Sequence, residues 1–172
     1  MKTLPDQLYR GNRREFTLDA LITIPAITPT HPDERVLLNL VLPPWQRDEV
    51  WTDAQKSRFI ESIFLGLDIG YYVVVEADWD NVGVKPNSAW LLDGQQRLSA
   101  IRDFMDDKIE IFDGIKFSEI DPVVRLKRFL RYPFPRYEVP HSPDVTLFQD
   151  LYDRMNFGGT NHTEQDRARL SL

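Results

Sequence analysis

The stretch of sequence that decides the fold is Trp90-Leu91-Leu92-Asp93-Gly94-Gln95-Gln96-Arg97-Leu98. Its apolar start predicts a buried strand over 89–92, and apolar residues at helical spacing predict a helix over 95–105. The acid and the glycine between them predict a tight turn. Because the first N–H groups of a helix are unpaired and lie at the positive end of its dipole, this junction is a candidate phosphate site.

Three residues at this junction suit phosphate chemistry. Gly94 lets a ligand approach the backbone closely. Arg97 can bind phosphate oxygens through its planar guanidinium, and Asp93 is placed to hold a metal-bound water or to orient a nucleophile. The alternative is a turn whose Asp and Gln side chains cap the helix, with Arg97 on the surface. The pattern alone leaves both interpretations open.

The elements before this junction indicate the fold class. Thr52 and Gln55 form a capping-box pattern that opens a predicted helix over 52–67. A run of β-branched and aromatic residues predicts a strand over 71–76. Helices and strands alternate irregularly, so we expect an α+β fold, a compact single domain with a small mixed sheet and flanking helices.

The rest of the sequence predicts one β-hairpin and one boundary between an N-terminal segment and the main domain. Asp113-Gly114 lies between apolar runs over 109–111 and 115–117, which predicts a β-hairpin. Prolines punctuate the first part of the chain, so we expect an N-terminal segment over 1–35 and the main domain over 36–172.

Composition excludes several classes of function. The 172 residues include no cysteine, which rules out disulfides, thiolate zinc sites and cysteine nucleophiles. Acidic residues outnumber basic ones by 27 to 21, so the chain does not coat nucleic acid non-specifically, although a local basic groove remains open. No apolar run approaches the roughly 20 residues of a membrane helix, and Met1–Arg14 lacks a signal-peptide pattern. We therefore expect a cytoplasmic protein with no membrane partner.

A second segment, Leu42-Pro43-Pro44-Trp45-Gln46-Arg47, precedes the helix that starts near Thr52. Its prolines place Gln46 and Arg47 in a loop that could contact a phosphate or a base. The alternative is a rigid loop packed by Trp45 and Trp51, with Arg47 paired to a neighbouring acid.

A third segment, Arg154-Met155-Asn156-Phe157-Gly158-Gly159-Thr160, predicts a helix end followed by two glycines and a hydroxyl. Consecutive N–H groups in such a turn can bind an anion. The alternative is a simple glycine cap.

One stretch combines basic and aromatic residues and is a candidate nucleic-acid surface. The alternative is a solvated helix face with a core side. The expected DNA-binding residues are Arg125, Lys127, Arg128, Arg131 and Tyr132, and Phe129, Tyr132 and Phe134 are the rings expected to stack on bases. The three histidines lack metal-ligand spacing, and no Walker or G-x-S-x-G pattern occurs.

In this order, the three segments resemble the N-terminal domain of GmrSD-type modification-dependent restriction enzymes. That domain also occurs in phosphorothioate-sensing defence proteins, and it resembles the ParB/sulfiredoxin-like superfamily. The resemblance spans roughly residues 36–170. Family members carry a second, histidine-based nuclease domain, whereas this sequence stops at Leu172, so we expect a stand-alone domain of the phage type or a fragment.

The resemblance implies a compact α+β fold with a nucleotide pocket, because the D-G-Q-Q-R sequence is tied in that family to nucleoside-triphosphate binding and hydrolysis. The catalytic residues are then Asp93 and Arg97, with Asp93 also expected to bind Mg²⁺. The implied nucleotide-binding residues are Gln46, Arg47, Gly94, Gln95, Gln96, Arg97, Arg154, Asn156, Gly158, Gly159 and Thr160.

Three functions are consistent with these residues. The first is a nucleoside-triphosphate-dependent enzyme that transfers the γ-phosphate to water, or to a hydroxyl on DNA such as one on a modified base. The second is a non-catalytic module that senses nucleotide or DNA and recruits a separate effector protein. The third, DNA cleavage by the pocket itself, is the least supported because the acids are scattered.

Overall fold

A mixed four-stranded sheet lies at the centre of the computed structural model, which describes Leu4, Gln7 and residues 11–157. The strands are β1 (Asn12–Arg14), β2 (Arg35–Leu37), β3 (Leu40–Leu42), β4 (Tyr72–Val75), β5 (Leu91–Asp93) and β6 (Arg136–Val139). The sheet order is β1-β6-β4-β5, with β4 parallel to β6 and the other pairs antiparallel. Strands β2 and β3 form a separate antiparallel ribbon.

Helices flank this sheet. They are α1 (Ala20–Thr23), α2 (Asp53–Phe64), α3 (Gln95–Met105), α4 (Pro122–Arg125) and α5 (Val145–Phe157), with a 3₁₀ turn over Phe117–Glu119 and a π-helix over Leu126–Leu130. Helix α2 begins with the predicted reciprocal capping box between Thr52 and Gln55. The predicted α+β fold with a small mixed sheet is confirmed. Within the described residues, no helix has the length and apolar character needed to cross a bilayer.

Strand β4 is buried on both faces, which explains its continuous apolar sequence. Tyr72 and Val74 belong to the core cluster that packs beneath α2 and α3. Val73 and Val75 belong to a second cluster that includes Phe148 of α5. Because β5 pairs with this fully packed strand, the turn at the end of β5 has a rigid support.

The N-terminal segment predicted over 1–35 contributes to the same body as the rest of the chain. Its strand β1 pairs with β6 at the sheet edge. Leu18 and Leu21 are 1% and 2% exposed and join the core under α2 and α3.

The predicted hairpin over 109–117 is wrong as a pair of strands. A single bridge joins Ile111 to Ile115 around the predicted turn. The second arm ends early because Phe117 enters the 3₁₀ turn, where its ring packs 5.6 Å from Phe104 and 5.7 Å from Phe129 between ring centroids. Aromatic packing therefore overrides the local hairpin preference.

Candidate functional site

The turn between β5 and α3 requires glycine. Gly94 is the N-cap of α3 and has a φ of 105°, a region that L side chains rarely adopt. A Cβ at this position would lie 2.7 Å from Cβ of Tyr72. No side chain of the described residues caps the N-terminus of α3, so these residues leave the N–H groups of its first turn available to a ligand.

A cavity of about 140 Å³ lies at this turn. It is bounded by the three segments that the sequence singles out, although they are far apart along the chain. The lining residues are Gln46, Arg47, Trp51, Asp93, Gly94, Gln95, Gln96, Arg97 and Asn156. We call this cavity the motif pocket.

Gln96 uses its side chain to hold the loop that carries Gln46 and Arg47. Its Oε1 accepts hydrogen bonds from the backbone N–H groups of Val50 at 2.9 Å and Trp51 at 3.0 Å. Its Nε2 donates to the carbonyl of Asp48 at 3.3 Å. Gln96 therefore joins two walls of the motif pocket, and this bonding occupies both ends of its amide.

Gln95 and Gln46 differ from Gln96 because they keep unpartnered polar atoms. Gln95 is 4% exposed, and within the described part of the chain neither its Nε2 nor its Oε1 has a hydrogen-bond partner. Gln46 is 5% exposed, and its Oε1 is also unpartnered. Buried polar atoms without partners are costly, about 1–3 kcal/mol each, and mark sites where a ligand or water completes the bonding.

Asp93 and Arg97 form an ion pair at the mouth of the motif pocket. Nη2 of Arg97 lies 2.8 Å from Oδ2 of Asp93, and Nη1 donates to the carbonyl of Ile69 at 3.2 Å. Gly70 makes room for this guanidinium, since a Cβ there would lie 3.0 Å from Nη1 of Arg97. Sequence reasoning missed Gly70, although a glycine between helix α2 and strand β4 is a signal for a special backbone position.

A cluster of charged side chains also holds the loop that carries Gln46 and Arg47. Nζ of Lys56 on α2 lies 2.5 Å from Oδ2 of Asp103 and 3.2 Å from Oε2 of Glu49. Nη2 of Arg102 lies 3.0 Å from Glu49 and 2.7 Å from Asp103. The cluster therefore links α2, α3 and the loop that carries Gln46.

These contacts change the titration of the cluster. Burial alone would raise the pKa of Asp103, but the hydrogen bonds from Lys56 and Arg102 outweigh it and lower this pKa. The pKa of Glu49 is also lowered against burial, by the nearby Ser99 hydroxyl, Lys56 and Arg102. For Lys56, burial would lower the pKa, and its bonds to Asp103 and Glu49 raise it instead. All of these groups are charged at neutral pH.

Among the described residues of the third segment, one reaches the motif pocket. Asn156 lines the pocket and donates from Nδ2 to the carbonyl of Tyr152 at 3.0 Å. Arg154 does not line it; its Nε pairs with Asp150 at 3.0 Å and its side chain is 66% exposed. The predicted residues Gly158, Gly159 and Thr160 lie outside the described part of the chain.

The basic stretch presents exposed cations. Lys127, Arg128 and Arg131 are exposed, and Arg125 packs over the ring of Phe117 at 4.9 Å. Arg128 also donates a hydrogen bond to the carbonyl of Phe64, so part of its role is structural.

The prediction that the rings of this stretch stack on bases is wrong for Phe129 and Phe134, which are 0% and 1% exposed. Both rings belong to the core under α2 and α3. Tyr132 is half-buried and donates from its hydroxyl to the carbonyl of Leu67 at 2.7 Å. Cζ of Arg97 lies 5.9 Å from the centroid of the Phe134 ring, so the buried end of this stretch packs near one of the side chains that line the motif pocket.

The described residues contain no group of three or more His, Asp or Glu placed to hold a metal. Asp93 is the one carboxylate among the residues that line the motif pocket. It is a chemically suitable ligand for Mg²⁺, which keeps several waters and commonly takes one or two carboxylates together with substrate phosphates.

Comparison with known proteins gives one result. Residues 33–128 match the model of a family described as "GmrSD restriction endonuclease, N-terminal domain". No curated protein and no solved structure gives a significant match. The matched range covers more than half of the chain. It contains both the loop with Gln46 and the whole D-G-Q-Q-R sequence, and it confirms the resemblance drawn from those residues.

Proposed function

The chain belongs to the family of GmrSD restriction endonuclease N-terminal domains, and we propose from this premise that it is a nucleoside-triphosphate-dependent enzyme that acts in a DNA context. The motif pocket binds the triphosphate. The γ-phosphate then moves to water or to a hydroxyl on DNA. A ParB/sulfiredoxin-like relationship is part of the same proposal.

One observation carries the nucleotide part of this proposal. The uncapped N-terminus of α3, the unpartnered amide of Gln95 and the unpartnered Oε1 of Gln46 meet in one small cavity. Helix N-terminal N–H groups and a nearby guanidinium together form an anion site. The cavity is smaller than the roughly 300–1,000 Å³ of pockets that enclose whole drug-sized ligands. It therefore suits the phosphate end of a nucleotide.

The side chains at the pocket divide the chemistry of phosphoryl transfer. Arg97, together with Arg47 on the opposite wall, supplies positive charge to the phosphate oxygens. Asp93 accepts the proton of the attacking water or hydroxyl. The new bond joins the nucleophile oxygen to the γ-phosphorus, and the bond from that phosphorus to the bridging oxygen breaks, which releases the nucleoside diphosphate.

Magnesium would be held by Asp93 and by the phosphates themselves. It would neutralise charge on the triphosphate. Asp93 would then have to share its carboxylate between the ion and Arg97, whose Nη2 lies 2.8 Å away.

The family supports DNA as the second partner, since its description is that of a restriction endonuclease domain. The exposed cations Lys127 and Arg131 give an acidic protein one concentrated basic surface. The same stretch of chain continues to the buried ring of Phe134, which lies 5.9 Å from Cζ of Arg97. This packing connects the stretch that carries the exposed cations with a side chain of the motif pocket.

A second candidate function is a non-catalytic sensor that binds nucleotide and DNA and recruits a separate effector protein. The ion pair between Asp93 and Arg97 favours it, because Nη2 of Arg97 already occupies Oδ2 of Asp93, an oxygen that the catalytic role would need for the proton of the nucleophile. The sensor retains the binding site and lacks turnover.

The experiment that tests the proposal uses γ-labelled ATP, GTP and CTP, each with Mg²⁺ and with or without DNA that carries normal or hydroxyl-bearing bases. Label released as phosphate identifies hydrolysis, and label on DNA identifies a kinase. Binding without release or transfer supports the sensor. Absence of binding for all three nucleotides contradicts both functions.

A further inference from the structure

A second and larger cavity, of about 330 Å³, lies at the other end of β4 and shares no lining residue with the motif pocket. We call it the sheet-end pocket. Val74 and Val75 form part of its floor, and the segment Ile24–Ile27 forms one wall. Its volume is within the range of sites that enclose small organic ligands, and most of its lining side chains are apolar.

Trp79 stands at this pocket with 57% of its surface exposed. Large exposed aromatic side chains beside an apolar cavity commonly provide a stacking surface. The loop that carries Trp79 is fixed at both ends. Nζ of Lys85 pairs with Asp78 at 2.6 Å, and Nε2 of His141 lies 2.8 Å from the carbonyl oxygen of Pro86. The loop that presents the ring is therefore held in place before any ligand arrives.

Two hydrogen-bond acceptors of the sheet-end pocket lack partners. Oδ1 of Asn39 is buried without a hydrogen bond, while Nδ2 of the same side chain donates to the carbonyl of Ala20 at 3.0 Å. Glu76 is partly buried and has no side-chain hydrogen bond or ion pair among the described residues. A ligand that fits these groups must donate hydrogen bonds.

The remaining carboxylate of the pocket is already neutralised. Glu138 accepts from Nε of Arg14 at 3.0 Å and from Nε of Arg136 at 2.8 Å. Arg136 itself lines the pocket and also packs over the ring of Phe16 at 4.3 Å. Its guanidinium lets the pocket tolerate an anionic group attached to the ligand.

We infer that the sheet-end pocket binds an unpaired nucleobase that carries an exocyclic amino group. The base stacks on Trp79, its amino group donates to Glu76 and Asn39, and its phosphate lies toward Arg136. Carboxylate acceptors are matched to the amino group of cytosine and discriminate against thymine, which has none. This inference does not depend on triphosphate binding in the motif pocket.

The test uses the full chain and fluorescently labelled single strands of about 12 nucleotides, made of dC, dA or dT. Single strands are chosen because their bases need no extrusion from a duplex. Fluorescence anisotropy is measured without triphosphate at one fixed salt concentration. We expect the dC and dA strands to bind several-fold more tightly than the dT strand.

Two variants and one control complete the test. Trp79→Ala should weaken binding of dC about tenfold, the usual loss for one stacked base. Glu76→Leu should remove the preference of dC over dT and leave binding of dT unchanged. Val82→Ala is the control, because this residue is 97% exposed in the same loop and does not line the pocket. The inference is overturned if no strand binds, if wild-type protein binds dT as tightly as dC, or if Trp79→Ala behaves like Val82→Ala.

Discussion

Gln95 and Gln96 are neighbours in the first turn of α3, yet their environments are opposite. Gln96 makes three hydrogen bonds through its amide, to Val50, Trp51 and Asp48. Gln95 is equally buried, and its amide makes none. Gln96 therefore belongs to the framework of the motif pocket, whereas the amide of Gln95 has no hydrogen-bond partner among the described residues.

The difference in hydrogen bonding distinguishes polar side chains that hold the fold together from polar side chains that are available to a ligand. A buried amide with all partners satisfied stabilises the fold, whereas a buried amide with none costs stability unless a ligand supplies the bonds. Proteins commonly accept such a cost where function requires it. The predictions below test this distinction.

The largest effect is expected from a substitution of Gly94, the N-cap residue of the helix that begins with both glutamines. Gly94→Ala should destabilise the protein by about 1–2 kcal/mol through its backbone conformation and by a further ~1–3 kcal/mol through overlap with Tyr72. Gly66→Ala is the matched control, because Gly66 has a φ of 78° and no atom within 4 Å of an added Cβ. Urea unfolding of both variants measures the difference. Equal losses would show that the close approach to Tyr72 is unimportant.

The second prediction addresses the two glutamines directly. Gln96→Leu should lower the free energy of unfolding by about 1–3 kcal/mol, because the N–H groups of Val50 and Trp51 lose their acceptor. Gln95→Leu should leave the free energy of unfolding unchanged or raise it, because it replaces an unpartnered amide with an apolar side chain of similar size. Thermal melts of the two variants without ligand decide the matter. Parallel destabilisation by both would contradict the comparison.

Much of the fold follows from local sequence. The β5–turn–α3 unit and the capping box at Thr52 were predicted because each depends on residues a few positions apart. The hairpin predicted over 109–117 was wrong as a pair of strands, because the ring packing of Phe117 against Phe104 and Phe129 is a tertiary effect that the local sequence does not show. The order of strands β1-β6-β4-β5 also joins distant parts of the chain, which no local pattern specifies.

The residues around the motif pocket were easier to name than their individual roles. The family resemblance placed Gln46 and Gln96 in one site but gave no reason to distinguish a side chain that anchors a loop from a side chain whose amide has no partner. Arg154 and Asn156 are two positions apart, so they project in different directions from α5, and only Asn156 lines the pocket. Phe129 and Phe134 looked available for stacking because burial cannot be inferred from an alternation of basic and aromatic residues.

The third prediction concerns the pH dependence of stability, which arises from the charged cluster that supports the same loop as Gln96. The pKa values of Asp103 and Glu49 are lowered in the fold, so both carboxylates stabilise the folded state once they are ionised. This stabilisation is complete above the ordinary carboxyl range of about pH 4 and is lost as the pH falls through the lowered values. Urea unfolding at several values from about pH 6 to about pH 3 should show the decline. Asp103→Asn should be less stable at neutral pH and decline less steeply. An identical decline in both proteins would exclude Asp103 as a source.

The fourth prediction concerns the exposed cations of the basic stretch, Lys127 and Arg131. Lys127→Glu combined with Arg131→Glu should weaken duplex DNA binding and reduce the slope of log affinity against log salt by about 1.8, the value for two phosphate contacts. Arg128 is left intact because it bonds to the carbonyl of Phe64. Triphosphate binding without DNA should persist. An unchanged salt slope would place the DNA surface elsewhere.

The most direct test of the account is calorimetric titration of triphosphate with Mg²⁺ into wild-type protein, Gln95→Leu and Arg97→Ala. We expect wild-type protein to bind the triphosphate. We expect Arg97→Ala to lose about 1.5–3 kcal/mol of binding free energy, the contribution of a charge-assisted contact. We also expect Gln95→Leu to bind more weakly although its fold is at least as stable. Unchanged affinity in both variants, with unchanged melting curves, would show that the motif pocket is not the nucleotide site.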